Sequence, residues 1–181
     1  MRVISGTLRG RKILGHDIEG TRPTMDRVKE SIFGTIQNYV PDSIVLDLFA
    51  GSGNLGIEAI SNGSKLCYFI DNNIEAINCI KKNAKTFNIE DKCNITLSDY
   101  KKALNTFHDN NMKFDIIFVD PPYKYEVIDK VINKIIDYNL LNDNGILVLE
   151  FEFDKIKDNY NGLTLIKNKK YGEKSVYIYK K

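Results

Sequence analysis

The sequence predicts one α/β domain with a short N-terminal extension, built on a doubly wound, mostly parallel sheet that ends in an antiparallel hairpin. Three observations carry this. From Ile44 onward, short apolar runs alternate with helical stretches, at loop lengths that suit right-handed strand-helix-strand crossovers. The run Ile116 to Val119 has the length and β-branched content of a strand buried on both faces. The last two strand-like runs, Leu163–Ile166 and Ser175–Tyr179, are joined through a Gly172 turn with no room for a crossover helix, so they must pair antiparallel.

The elements follow in order. Arg2 to Ile13 alternates loosely around Gly6 and Gly10, the pattern of a basic β-hairpin. Thr24 is placed to cap a helix over residues 25–38, with Asp26 in its first turn and Val28, Ile32 and Ile36 along one face. Strands are expected at 44–49, 66–70, 93–97, 114–119 and 146–151, and helices at 54–61, 73–87, 100–107 and 126–138. In the last helix, Val127, Ile128, Val131, Ile132, Ile135 and Ile136 form a stripe for packing on a sheet. Residues 1–40 are thus expected to form an extension and residues 41–181 the main domain.

Composition excludes several classes. The 181 residues, 43% apolar and 28% charged, can bury a sizeable core, and no apolar run approaches transmembrane length. Without a signal-like N-terminus, a soluble cytoplasmic protein is expected. Cys67, Cys79 and Cys93 lack metal-ligand spacing and read as reduced core thiols; His16 and His108 are isolated, so no metal is expected. The net charge of +2 hides an asymmetry: all five arginines (Arg2, Arg9, Arg11, Arg22 and Arg27) lie in the first 27 residues, and every later basic residue is lysine. Arginine's planar fork pairs bidentately with phosphate, so the N-terminal arm reads as a nucleic-acid contact rather than a merely solvated surface.

Chemistry concentrates where open α/β sheets bind ligands, at the carboxyl ends of the strands. Asp120-Pro121-Pro122-Tyr123 ends the 114–119 strand. Two prolines cannot continue a ladder, so they form a stiff shelf carrying a carboxylate, free carbonyls and an aromatic ring. That set suits gripping a planar base by its exocyclic amino group. Asp47 to Gly56 ends the first strand with Gly51-x-Gly53-x-x-Gly56, which also fits a dinucleotide-binding loop. An acid at Asp47 disfavours a pyrophosphate there and suits a ligand with an ammonium group, such as the methionine part of S-adenosylmethionine. Asp71 can accept both ribose hydroxyls or cap the next helix; Asp99 can accept from an adenine amino group or cap its own helix. Asp115 and Glu150 read as structural, and Lys81, Lys82 and Lys85 as a solvated helix face.

These residues carry a resemblance. Asp47 to Gly56 resembles the first motif of class I S-adenosylmethionine-dependent methyltransferases, apart from Asn54 where a small residue is usual. Asp120-Pro-Pro-Tyr123 resembles the shelf of those that methylate exocyclic amino nitrogens. Arg2-Val-Ile-Ser-Gly-Thr-Leu-Arg-Gly-Arg-Lys and Arg22-Pro-Thr-Met-Asp-Arg-Val-Lys-Glu-Ser-Ile-Phe33 make nearly the whole chain similar to the RsmD family, bacterial 16S ribosomal RNA guanine-N2 methyltransferases acting on guanine 966. The resemblance implies a Rossmann-like, seven-stranded class I fold and S-adenosyl-L-methionine as cofactor. It implies catalysis by Asp120, Pro121, Pro122 and Tyr123, and a cofactor site of Asp47, Phe49, Gly51, Gly53, Asp71 and Asp99 joined by Arg22 and Thr24. RNA would be held by Arg2, Arg9, Arg11, Lys12 and Arg27, with Arg22 and Arg27 open to either ligand. The partner would be 16S rRNA or a 30S assembly intermediate, met by a monomer. A DNA adenine-N6 methyltransferase shares the shelf but usually carries a target-recognition insertion; a non-enzymatic RNA-binding module or an NAD oxidoreductase would leave the shelf without a use.

Overall fold

The structure, a computed structural model, describes residues 1–15, 26–121, 125–151, 156, 159–172 and 174–181. Its elements are α1 (Asp26–Ile36), β1 (Ile44–Asp47), α2 (Asn54–Ser61), β2 (Leu66–Asp71), α3 (Ile74–Phe87), β3 (Cys93–Leu97), α4 (Tyr100–Asp109), β4 (Phe114–Val119), α5 (Tyr125–Asp137), β5 (Leu141–Phe151), β6 (Thr164–Tyr171) and β7 (Lys174–Lys180). They form one seven-stranded sheet in the order β3-β2-β1-β4-β5-β7-β6. The first five strands are parallel, while β7 runs antiparallel to both β5 and β6. Because β1 leads to β2 on one side and pairs with β4 on the other, the sheet has its switch point between β1 and β4, beside the shelf. No described helix is long and apolar enough to cross a membrane.

Period-two alternation divides the strands between two cores. Val45, Phe69, Ile116, Phe118, Ile146, Val148, Val176 and Ile178 face α1, α2 and α3; Leu46, Ile70, Ile117, Val119, Leu147, Leu149, Tyr177 and Tyr179 face α4 and α5. The stripe on α5 behaves as expected, with Ile128, Val131, Ile132 and Ile135 fully buried. Two strands run longer than their apolar patterns. β5 starts at Leu141, ahead of Ile146, and passes a bulge opposite Asp115, whose carboxylate accepts from Ile44 N (2.7 Å) and Asn142 Nδ2 (2.8 Å). β6 continues to Tyr171 through Lys-Asn-Lys-Lys, because an edge strand carries lysine on its solvent side. Glu150 is buried beside Lys174, its ion-pair partner, so both acids set aside as structural are so.

The N-terminal arm makes one antiparallel bridge, Arg2 to Lys12, around a tight turn rather than an extended hairpin ladder. Its apolar residues Val3, Leu8 and Ile13 enter the same core as α1 and α2. Glu58 of α2 holds it there. Its carboxylate accepts from Ile4 N (2.9 Å), Ser5 N (2.8 Å) and Ser5 Oγ (3.0 Å), and pairs at 2.9 Å with Lys29 of α1. Lys29 also donates to Arg2 O at 2.6 Å. Both charged side chains are fully buried, and each takes the other, with the arm's polar groups, in place of water. Lys29→Met should therefore lower unfolding free energy in urea by about 3–5 kcal/mol, leaving an uncompensated buried charge. Adding Glu58→Gln should recover part of the loss, since a carboxamide still accepts from the arm. A single-variant loss under about 1 kcal/mol, the scale of a surface pair, would contradict the account.

Candidate active site

The loop after β1 is pinned to both neighbours. Leu48 N donates to Phe118 O of β4 (3.1 Å) and Ala50 N to Ile70 O of β2 (2.9 Å). Gly51 (φ +53°) turns its N–H onto Asp71 Oδ2 at 2.8 Å, and Gly53 (φ +79°) starts α2 in the left-handed region. Gly56 is required for a different reason: a Cβ there would lie 2.2 Å from Phe69 Cε1 and 2.7 Å from Cys67 Sγ, so only glycine lets α2 lie this close to β2.

Asp47 was expected to face a ligand's ammonium group directly. It is instead 2% exposed beneath the loop, and its Oδ2 accepts from Gly56 N at 3.0 Å. Its place is to fix the start of α2. Burial pushes its carboxyl up to about 7; the Gly56 hydrogen bond opposes this, and the charge of nearby Asp71 adds to it.

Asp71 gives one oxygen to Gly51 N and the other to Asn73 N (2.9 Å), leaving a lone pair on each. It does not cap α3: Asn73 does, accepting from Glu75 N at 2.7 Å. Asp99 caps α4, accepting from Lys101 N at 2.8 Å, and remains exposed. Near these two acids lie Ile74 and Leu97, 53% and 51% exposed, apolar residues the sequence reading passed over. Their signal was position: Ile74 follows Asp71 by three residues and Leu97 precedes Asp99 by two. Phe49, half-buried, packs its ring against Tyr100 at 5.4 Å. Just after β4, Asp120 is half-buried and Pro121 buried. Asp99, Asp71, the glycine loop and Asp120 thus end four adjacent strands, a row about 14 Å wide at the usual strand spacing. Pro122, Tyr123, Arg22 and Thr24 lie outside the described residues.

The arm's basic residues divide. Arg9, Lys12 and Arg27 are exposed; Arg2, also exposed, pairs with Asp26 at 3.0 Å. Arg11 is exposed as well, and its guanidinium also contacts the fold, donating to Thr86 O and Phe87 O and lying 4.5 Å over the Phe87 ring. The reason is the cluster of unsatisfied carbonyls at the end of α3, which attracts a forked cation. Lys81, Lys82 and Lys85 are exposed, as expected of a solvated face. Asn83, fully buried on α3 and unremarked in the sequence, joins the arm to the glycine loop.

A parallel sheet with a reversed seventh strand, a glycine loop after β1 and an Asp-Pro shelf after β4 define a class I, Rossmann-like methyltransferase. Comparison with known proteins narrows this. Residues 1–180 match the family model described as Conserved hypothetical protein 95. The chain is 38% identical over 182 residues to "Putative rRNA methyltransferase YlbH" of Bacillus subtilis (strain 168), covering 100% of this chain and 99% of the relative. It is 34% identical over 179 residues to "Ribosomal RNA small subunit methyltransferase D" of Haemophilus influenzae, covering 99% and 93%. The solved structure "Putative methyltransferase yhhF from Escherichia coli" superposes with a TM-score of 0.87 at 29% identity, over 100% of this chain and 97% of that one. The chain belongs to the RsmD family.

The buried Asp47 carboxyl gives a pH dependence of stability. Its folded value lies above its unfolded value of 3.8, so its contribution is full below pH 3.8 and is lost as pH rises through about 7. Asp47→Asn keeps the acceptor for Gly56 N but does not titrate. From pH 5 to pH 8 the variant should gain about 2–3 kcal/mol of unfolding free energy relative to wild type, measured by urea titration. Parallel pH profiles would contradict the shifted carboxyl.

Proposed function

We propose that the chain methylates the exocyclic N2 of a guanine in 16S ribosomal RNA, of the guanine-966 type, using S-adenosyl-L-methionine. The observation that carries this reading is the row of Asp99, Asp71, glycine loop and Asp120-Pro121 at adjacent strand ends. The residues present fit the cofactor. Asp71 has lone pairs free for ribose hydroxyls, Ile74 and Leu97 offer exposed apolar surface for a purine, and Asp99 can accept from its amino group. Phe49, Gly51 and Gly53 line the methionine side, with Asp47 acting through the loop; Arg22 and Thr24 join them by family resemblance alone.

The bound cofactor supplies an electrophilic methyl group on sulfonium. The guanine amine is a poor nucleophile because its lone pair is delocalised into the ring. Asp120 and the Pro121 carbonyl accept its two N–H bonds, which localises that lone pair on nitrogen and aims it in line. The proton released passes to Asp120 or to water. Positioning and electrostatics supply most of the rate, with no strong base needed. The base is flipped out of its stack; by family resemblance alone, Pro122 and Tyr123 join the site, with Tyr123 stacking on the base for about 1–3 kcal/mol. Residues 1–40 form the RNA- and cofactor-facing extension of domain 41–181, with Arg2, Arg9, Lys12 and Arg27 holding phosphates. The enzyme works as a cytoplasmic monomer on 16S rRNA or a 30S assembly intermediate.

Asp120→Ala should cut turnover at least about 100-fold, or 2.7 kcal/mol, while calorimetry finds S-adenosylmethionine affinity within about threefold of wild type. A variant retaining more than a tenth of the rate would remove Asp120 from the reaction. Arg9→Ala with Lys12→Ala should reduce the slope of log affinity for RNA against log salt by about 1.4–1.8. An unchanged slope would take the arm off the RNA.

A further inference from the structure

Asn83, on α3, is fully buried, with 0% exposure, and its side chain spans two segments distant in sequence. Its Nδ2 donates to Leu14 O (3.0 Å), at the end of the arm, and to Ser52 O (3.1 Å), inside the glycine loop. Its Oδ1 accepts from Leu14 N at 2.9 Å. Both polar groups of the Leu14 backbone are thus satisfied by one side chain, which also fixes the amide's orientation. Cys79, one turn earlier on α3, adds a contact from Sγ to Leu14 O at 3.1 Å.

The arrangement exceeds what holding the arm requires. Arg11 already fastens the arm to the end of α3, and Glu58 fastens its beginning to α2. The bond to Ser52 O acts on the one loop whose shape decides cofactor binding. Ser52 lies between Gly51 and Gly53, both with positive φ, so its carbonyl can swing by peptide rotation unless it is held. Helix α3 itself begins beside Asp71, whose Oδ2 holds Gly51 N earlier in the same loop.

We infer that Asn83 is a positioning residue that sets the glycine loop and the basic arm in one register, so that cofactor and RNA each bind better when the other is present. Neither ligand touches Asn83. RNA on Arg9 and Lys12 steadies the arm, the arm steadies the amide at Leu14, and the amide steadies Ser52. Reciprocity requires that the cofactor strengthen RNA binding by the same factor. This rests on reading the loop as the cofactor site and the arm as the RNA site.

The test uses the full chain, S-adenosylmethionine and a 16S rRNA fragment. Calorimetry on Asn83→Leu should show cofactor Kd raised at least tenfold, with loss of the RNA-dependent tightening expected of wild type, while kcat at saturating ligands stays within about threefold. Ile135→Ala, in the opposite core, serves as a control that lowers the unfolding midpoint without reaching the loop, and its Kd should not move. On the wild-type protein, added cofactor should slow hydrogen exchange of the Leu14 amide at least fivefold; this holds even where the variant does not fold. Unchanged cofactor Kd in Asn83→Leu, intact coupling, or unaltered Leu14 exchange overturns the inference. Wild-type protein that fails to bind S-adenosylmethionine at all would instead end the reading of the site on which it rests.

Discussion

The structure depends on two carboxylates that each satisfy a backbone N–H in the turn from β1 into α2. Strand carbonyls satisfy Leu48 N and Ala50 N, but the amides of Gly51 and Gly56 need other acceptors. Asp47 takes Gly56 N from below and Asp71 takes Gly51 N from the side. Two acids close together would repel in a buried setting, and the outcome is visible in Asp47, held up to about 7 by burial and by its neighbour's charge. The loop's shape, the half-free oxygens of Asp71 and the close seat of α2 on β2 follow from this arrangement.

The arm is tied into the same structure by a second set of polar contacts. The Lys29–Glu58 pair sits between α1, α2 and the first residues of the chain, where it satisfies three donors of the arm besides the ion pair itself. A basic segment that must approach RNA cannot rely on apolar burial alone, since its exposed residues stay in water. Buried charges give it a defined seat while Arg9 and Lys12 remain outside.

Much of this was legible in the sequence, for physical reasons that can be named. Strands buried on both faces advertise themselves as short β-branched runs, and the glycine spacing announced a loop under backbone constraint. Helix α2 was read to the residue, because glycines bound its start and Asn62-Gly63 its end. The lysine-rich length of β6 was not legible, since an edge strand has no apolar face to reveal it. Arg11 looked like its neighbours; only the fold shows that it ends beside the open carbonyls of α3. Asp47 was read as a ligand contact because a strand-end acid looks the same whether it serves a ligand or the loop above it. Glu58 and Asn83 carried no motif and Lys29 no reading of its own, and their importance comes from contacts between segments far apart in sequence.

The central claim, methyl transfer to a guanine amine on ribosomal RNA, is tested most directly by the product. Labelled S-adenosylmethionine would be offered with 30S particles lacking the modification, with naked 16S RNA and with adenine-rich DNA, followed by nucleoside analysis. The account predicts label in N2-methylguanosine from an RNA acceptor. Label in N6-methyladenine would keep the shelf chemistry and contradict the substrate, and no transfer to any acceptor would contradict the activity itself.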